Sequence, residues 1–107
     1  MTTFDEREQN FEKKFKHDQE LRFKANARRN KLLGLWAAAR MGVKGSAAEA
    51  YAMAVVEADL GRGGTGAREK VLKDLGEKGL AASEAEVQRE QERLLEIAKE
   101  QLLKAGP

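Results

Sequence analysis

The chain has no cysteine, one histidine and a single proline. The absence of cysteine excludes disulfide bonds and thiolate metal sites, and it is typical of a reducing compartment. No apolar run approaches the roughly 20 residues that a membrane-spanning helix needs. The first residues, MTTFDERE, lack the basic and apolar parts of a signal peptide. We therefore expect a cytoplasmic protein that binds no metal and does not insert into a membrane.

Strand-like alternation of β-branched residues is also absent, and strong helix formers dominate the composition. A chain of 107 residues is expected to form one domain. Four helical runs are predicted at about residues 19–41, 47–60, 67–78 and 84–104. The sequence therefore predicts an all-α four-helix bundle with short connections.

Local signals mark where helices should begin and end. Three hydroxyl–carboxylate pairs have the spacing of a capping box: Thr3 with Glu6, Ser46 with Glu49, and Ser83 with Glu86. Glycines at positions 42 and 79 stand where the first and third helices should stop.

Apolar residues at helical spacing define a predicted core face on each helix. The set is Leu21, Ala25, Leu32, Trp36 and Ala39; then Ala47, Tyr51, Ala54, Val55 and Ala58; then Val71, Leu72 and Leu75; and last Val87, Gln91, Leu94, Leu95, Ala98 and Leu102. The third helix has the least apolar surface, so we expect it to be the least stable.

Phe4, Phe11 and Phe15 do not share the predicted core face of the first helix. They lie within roughly 40° of one another on a helix, and their centre is rotated by roughly 80° from that core face. A helix over residues 3–41 would be ~57 Å long, whereas a domain of this size has a radius of gyration near ~13 Å. We therefore predict two parts: a projecting or disordered segment, 1–18, and a bundle, 19–107.

The phenylalanine stripe indicates a helix that binds in a groove of a partner. The residues between the phenylalanines are polar, so the free segment gains little from folding. Burying each phenylalanine contributes about 1.5–3 kcal/mol, and ordering each residue costs about 1 kcal/mol or more. The pattern is typical of a segment that folds on binding. The alternative is that the segment folds back over its own bundle.

Positive charge is concentrated in one block. Residues 21–44 carry seven bases and no acid, whereas residues 1–20 carry six acids and four bases. The bases are Arg22, Lys24, Arg28, Arg29, Lys31, Arg40 and Lys44. A nucleic-acid-binding module that uses the basic helix 22–44 is one alternative function. Pairing with acidic faces of the bundle or of a protein partner is the simpler interpretation, because only two aromatic residues are interleaved with the bases.

The sequence GRGGTG at 61–66 leaves a second alternative, a small nucleotide-sensing protein. Backbone amides at the start of the next helix could bind a phosphate. The run lacks the lysine of a P-loop and follows a helix instead of a strand, so a flexible connector is the simpler interpretation. His17 has no nucleophile as a partner, and we expect neither catalysis nor a cofactor. Weak nucleotide binding stays open.

Four stretches near the N-terminus resemble a known family. They are T-F-D-E-R-E at 3–8, F-E-x-K-F at 11–15, H-D-x-E-L-x-F-K at 17–24 and A-R-R-N-K-L-L-G-L-W-A-A at 27–38. Together they closely resemble the zeta-subunit family, which are small bacterial inhibitors of the F-type ATP synthase. The resemblance is nearly continuous from residue 3 to about residue 42 and is weaker beyond.

The resemblance implies a non-enzymatic inhibitor of ATP hydrolysis. In the family, the N-terminal segment enters a catalytic interface of the F1 sector between an alpha and a beta subunit, near gamma. It becomes helical there and impedes rotation in the hydrolytic direction. The residues at the matching positions are Phe4, Asp5, Arg7, Glu8, Phe11, Glu12, Lys14 and Phe15. The implied location is cytoplasmic and peripheral to the inner membrane, through F1.

Overall fold

The structure is a computed structural model that describes residues 18–104. Its helices are α1 (Gln19–Arg40), α2 (Gly45–Ala58), α3 (Thr65–Glu77) and α4 (Glu84–Lys104). Residues 18–104 contain no strand, so the predicted all-α four-helix class is confirmed. None of these helices is both long enough and apolar enough to cross a lipid bilayer. The predicted capping box at Thr3 and the predicted projecting segment, up to residue 17, lie outside the described residues.

Glycines end α1 and α3 where the sequence predicts. Gly42 has a φ of +76°, in the left-handed region that only glycine adopts without a Cβ penalty. The amide of Val43 then donates to the carbonyl of Ala38 at 2.8 Å, which is the long bond of a Schellman motif. The same closure follows at Gly79. Both predicted stops are confirmed.

The start of α4 is capped as predicted. The amide of Glu86 donates to Ser83 Oγ at 3.0 Å, which satisfies one of the free N–H groups of the first turn. The Glu86 carboxylate, which a full capping box would direct back to Ser83, instead accepts a bond from Arg40 Nη2 at 3.2 Å. The hydroxyl half of the box therefore caps α4, and the carboxylate half joins α4 to α1.

The predicted capping box at Ser46 is wrong. Lys44 is the N-cap residue of α2, and its side chain makes no capping bond. The chain enters the helix through Gly45, whose φ of +62° is left-handed. Ser46 consequently lies inside the first turn, where its backbone cannot take the non-helical conformation of an N-cap residue.

The other three helices are arranged around α1, which contacts each of them. It runs antiparallel to α4: Arg28 bonds Gln101 near one end of the pair, and Arg40 bonds Glu86 near the other end. It is also antiparallel to the shorter α2. The described part of the chain measures 50 × 26 × 24 Å with a radius of gyration of 14.8 Å, above the ~13 Å of a compact domain.

The predicted core faces of α3 and α4 are confirmed. The fully buried members are Val71, Leu75, Val87, Gln91, Leu94 and Ala98, while Leu72, Leu95 and Leu102 are half-buried. On α2, Val55 is buried as predicted, but Ala47 is exposed and Ala52 is buried instead. Alanine is a weak guide to burial, because it fits equally well on any face of a helix.

The predicted core face of α1 is only partly correct: Leu32 and Trp36 are half-buried and pack against the core, but they do not lie at its centre. Only Ala25 of the predicted set is fully buried, and Ala39 is exposed. The buried residues are Ala25, Arg29, Asn30, Leu33, Gly34, Ala37 and Ala38. Their centre is rotated by more than about 100° from the predicted one. The cause is close helix packing: a Cβ added to Gly34 would lie 2.6 Å from the Cα of Ala52, so α1 turns its small residues inward.

Candidate functional site

The residues assigned to inhibition by the resemblance, at positions 4–15, lie outside the described residues. The structure does describe the residue where the segment meets the bundle. Asp18 has an extended backbone, with φ −110° and ψ 103°, and its Oδ1 accepts the amide of Leu21 at 3.1 Å. This is an N-cap, so α1 begins at Gln19. The division into a segment and a bundle stays a prediction, but its boundary coincides with the first residue of α1.

The correction of the buried face of α1 changes its angle to the stripe of Phe4, Phe11 and Phe15. On a helical wheel that continues α1 back to residue 4, the three phenylalanine positions lie within roughly 60° of the face that α1 buries, whereas the predicted core face was rotated from them by roughly 80° in the opposite direction. A change of face therefore no longer separates the two parts of the sequence. The N-cap at Asp18 is the feature that marks the start of α1.

The basic block does not form one surface. Arg29 is buried, with 7% of its surface exposed. Other members are bound within the bundle: Lys24 to Glu20 at 3.3 Å, Arg28 to Gln101 at 3.3 Å, Lys31 to Glu49 at 3.6 Å and Arg40 to Glu86 at 3.2 Å. Arg40 also lies 4.5 Å from the ring centre of Trp36. This arrangement favours charge pairing within the chain over a nucleic-acid track.

Asp59 organises the connection between α2 and α3. Its carboxylate is 4% exposed and accepts the amides of Gly64 and Ala67 at 2.9 and 3.0 Å. These amides lie at the N-terminus of α3, where the positive end of the helix dipole favours an anion. The chain's own carboxylate thus occupies the position that a bound phosphate would need. The backbone amides that a nucleotide phosphate would need are therefore already bonded, which argues against the alternative of a nucleotide-sensing protein.

Two glycines of this connection stand where a larger side chain would not fit. Gly64 has a φ of +100°, and a Cβ there would lie 3.1 Å from Arg29 Nη2. A Cβ on Gly66 would lie 2.2 Å from the carbonyl oxygen of Ala58, so no side chain fits. The sequence GRGGTG is therefore shaped by the approach of α3 to α2 around the buried carboxylate, and the predicted flexible connector is replaced by a specific turn.

A buried polar network joins this turn to α1 and α4. Asn30 Nδ2 donates to Asp59 Oδ2 at 2.8 Å, and Arg29 donates to Asn30 Oδ1 from two nitrogens at 3.2 Å. From α4, Gln91 Nε2 donates to the carbonyl of Gly64 at 2.8 Å. No buried side-chain nitrogen or oxygen of residues 18–104 lacks a partner. The network thus satisfies the groups that it buries.

The buried guanidinium of Arg29 is paired with a carboxylate within this network. Burial lowers the pKa of its guanidinium below the ordinary value, and the Asp59 carboxylate opposes that change. The two charged groups lie 3.8 Å apart. Removing the carboxylate would leave a buried cation without its counter-ion, which is far more costly than removing both.

Tyr51 of α2 and Asp74 of α3 form a part-buried hydroxyl–carboxylate pair. Tyr51 donates its hydroxyl hydrogen to Asp74 Oδ2 at 2.8 Å, and burial together with this carboxylate raises the pKa of the phenol. A raised pKa makes the tyrosine a poorer proton donor. Residues 18–104 also hold no cluster of histidine, aspartate or glutamate suited to a metal ion.

Sequence reasoning missed Asn30, Asp59 and the exposure of Phe23. A weak signal for Asp59 was available, because a carboxylate a few residues before a helix start can cap it. Its partner Asn30 lies 29 residues earlier, and no local pattern connects them.

Comparisons with known proteins bear on the whole chain. No curated protein and no solved structure matches it significantly. A protein-family model described as ATPase inhibitor subunit zeta matches residues 1–101. This span includes the N-terminal segment, all of α1, α2 and α3, and most of α4. Because the match covers nearly the entire length, the chain belongs to the ATPase inhibitor subunit zeta family.

Proposed function

We propose that this chain inhibits ATP hydrolysis by the F1 sector of an F-type ATP synthase. In this mechanism residues 1–18 insert as a helix at an interface between an alpha and a beta subunit, near gamma, and block hydrolytic rotation. The observation that carries the proposal is the family match, which begins at residue 1 and so includes the segment. The description of the family as an inhibitor subunit supports a regulatory role.

The start of α1 supports the assignment of separate tasks to segment and bundle. The side chain of Asp18 caps the first turn of α1, so this cap needs none of residues 1–17. The bundle also has a filled core of its own, from Leu33 and Val55 to Leu75 and Leu94. The bundle therefore has a helix cap and a hydrophobic core of its own, which supports the proposal that the segment acts on a partner.

Deletion of residues 2–17 tests the proposal. The deletion keeps Asp18, so that α1 retains its cap. We expect the free energy of unfolding to stay within about 0.5 kcal/mol of the full chain, because no described core contact is removed. We expect inhibition of ATP hydrolysis by F1 to be lost.

A matched control keeps the segment at full length and replaces Phe4, Phe11 and Phe15 by serine. This triple variant should also fail to inhibit, because it removes the apolar stripe alone. A deletion variant that inhibits as well as the full chain would refute the proposed mechanism.

A further inference from the structure

One face of α1 stays free of charge along the entire helix. Its members recur at spacings of three and four residues: Gln19, Phe23, Asn26, Asn30, Gly34 and Ala37. On a helix they lie within roughly 80° of one another, and the seven charged residues of α1 lie outside this sector. We call this face the uncharged seam. Its spacing is that of a helix face that packs against another helix.

The bundle covers only part of the uncharged seam. Gly34 packs against Ala52 of α2, and Asn30 bonds the Asp59 carboxylate. The exposed fraction is 0% at Ala37 and 4% at Asn30, but 64% at Phe23. The cover of α2 and α3 therefore ends before the N-terminal turns of α1, and the seam continues uncovered beyond it.

Single exposed apolar residues are common and need no explanation by themselves. Leu60, which is 63% exposed just after α2, is such a residue. Phe23 differs because it lies in register with the buried face of its own helix. Charged residues occupy seven of the 22 positions of α1. None of them lies in the exposed part of the uncharged seam, although solvent could accommodate a charge there.

Phe23 lies close to the residue where the N-terminal segment meets α1. It lies five residues after Asp18, which is about 8 Å along the helix axis. The proposed function places the residues up to Asp18 in a site on F1, so the rim of that site lies within reach of Phe23. Aromatic residues in such a position are enriched in protein interfaces.

We propose that Phe23, with Gln19 and Asn26 beside it, docks against an uncharged apolar surface of the F1 partner. The inhibitory interface then extends onto the first turns of α1 and does not stop at residue 18. This inference rests on the proposed function. The partner surface is a protein surface that accepts one aromatic ring and presents no charge opposite the seam.

The test compares Phe23→Ser with the matched control Leu60→Ser in the full chain. The two side chains have nearly equal exposure, so both variants should keep the wild-type urea midpoint of unfolding. We expect Phe23→Ser to raise the concentration needed for half-inhibition of F1 by about tenfold, and Leu60→Ser to leave it unchanged. Phe23→Leu, which keeps an apolar group, should recover most of the loss.

Binding to F1 is measured beside inhibition, with a dye on a cysteine introduced by Ser46→Cys, since the chain has no other cysteine. Equal potency of Phe23→Ser and Leu60→Ser would overturn the inference. A gain in potency would also overturn it, because the chain's own first 17 residues would then be what covers Phe23. If the wild-type chain binds F1 without inhibiting it, the proposed function is refuted, but the affinities of the variants still test the contact of Phe23. If the wild-type chain does not bind F1, both proposals are overturned.

Discussion

Asp59 connects the turn after α2 to α1 and to the start of α3 through buried polar contacts. Its two oxygens accept hydrogen bonds from Gly64, Ala67 and Asn30, and its charge lies 3.8 Å from that of Arg29. These partners come from α1 and from the start of α3. One carboxylate therefore caps a helix, neutralises a buried cation and fixes the turn between α2 and α3.

Asp59→Ala should destabilise the bundle by about 3 kcal/mol or more, because it leaves Arg29 buried and without its counter-ion. Glu57→Ala, at an exposed position two residues earlier in the last turn of α2, should change the free energy of unfolding by less than about 0.5 kcal/mol. Urea unfolding monitored by far-UV circular dichroism measures both. Equal stabilities for the two variants would show that Asp59 has no such role.

The phenylalanines of the segment give a second prediction for single residues. Phe11→Ala and Phe15→Ala should each weaken inhibition of F1 by about tenfold or more, because each removes an aromatic ring that the partner buries. Neither should lower the melting temperature of the free protein appreciably. A large loss of stability in these variants would favour a segment that folds back over its own bundle.

Among the helices, the contact between α1 and α2 depends on the absence of a side chain. Gly34 lies in the middle of α1, where glycine is unfavourable for an isolated helix. The glycine permits the close approach of Ala52, and that approach turns the small residues of α1 inward. Packing of the pair thus overrides both the helix propensity of α1 and the periodicity of its large residues.

Gly34→Ala should destabilise the protein by about 1–3 kcal/mol, because the new Cβ would overlap the backbone of α2. Gly76→Ala in α3 is the matched control, since a Cβ at that position meets nothing within 4 Å. It should stabilise the protein by about 0.5–1 kcal/mol through higher helix propensity. Urea midpoints decide between the two signs, and a stabilising Gly34→Ala would contradict the packing described.

At the scale of the whole molecule, the described helices are not covered evenly. α1 and α4 are 22 and 21 residues long, whereas α2 and α3 have 14 and 13. The short helices cover one end of the long pair, so the other end is a two-helix extension that carries Phe23. This geometry accounts for the elongated shape of residues 18–104, and it places the exposed ring of Phe23 close to residue 18, the last residue of the segment.

Because α2 and α3 cover only one end of α1, we expect the two ends of α1 to differ in local unfolding. Amides of residues 22–25 should exchange with solvent faster than those of residues 33–38, because only one helix packs against the extension. Native-state hydrogen exchange measures this directly and also tests the earlier expectation that α3 is the least stable helix. Equal protection along α1 would show that the extension is as stable as the covered end.

The sequence by itself determined the helices, most of their ends and the family. Gly42, Gly79 and Ser83 act on neighbouring backbone groups, and the large residues of α4 repeat without interruption, so local rules suffice. The resemblance likewise depended on contiguous strings, and the family match confirmed it.

The tertiary structure alone decided which face of α1 is buried and what Asp59 does. The buried face consists of small and polar residues that only neighbouring helices can select, because Gly34 needs Ala52 and Asn30 needs a carboxylate 29 residues away. Interactions between residues so distant in sequence leave no periodic trace. That is why the core of α1 had to be corrected whereas the core of α4 did not.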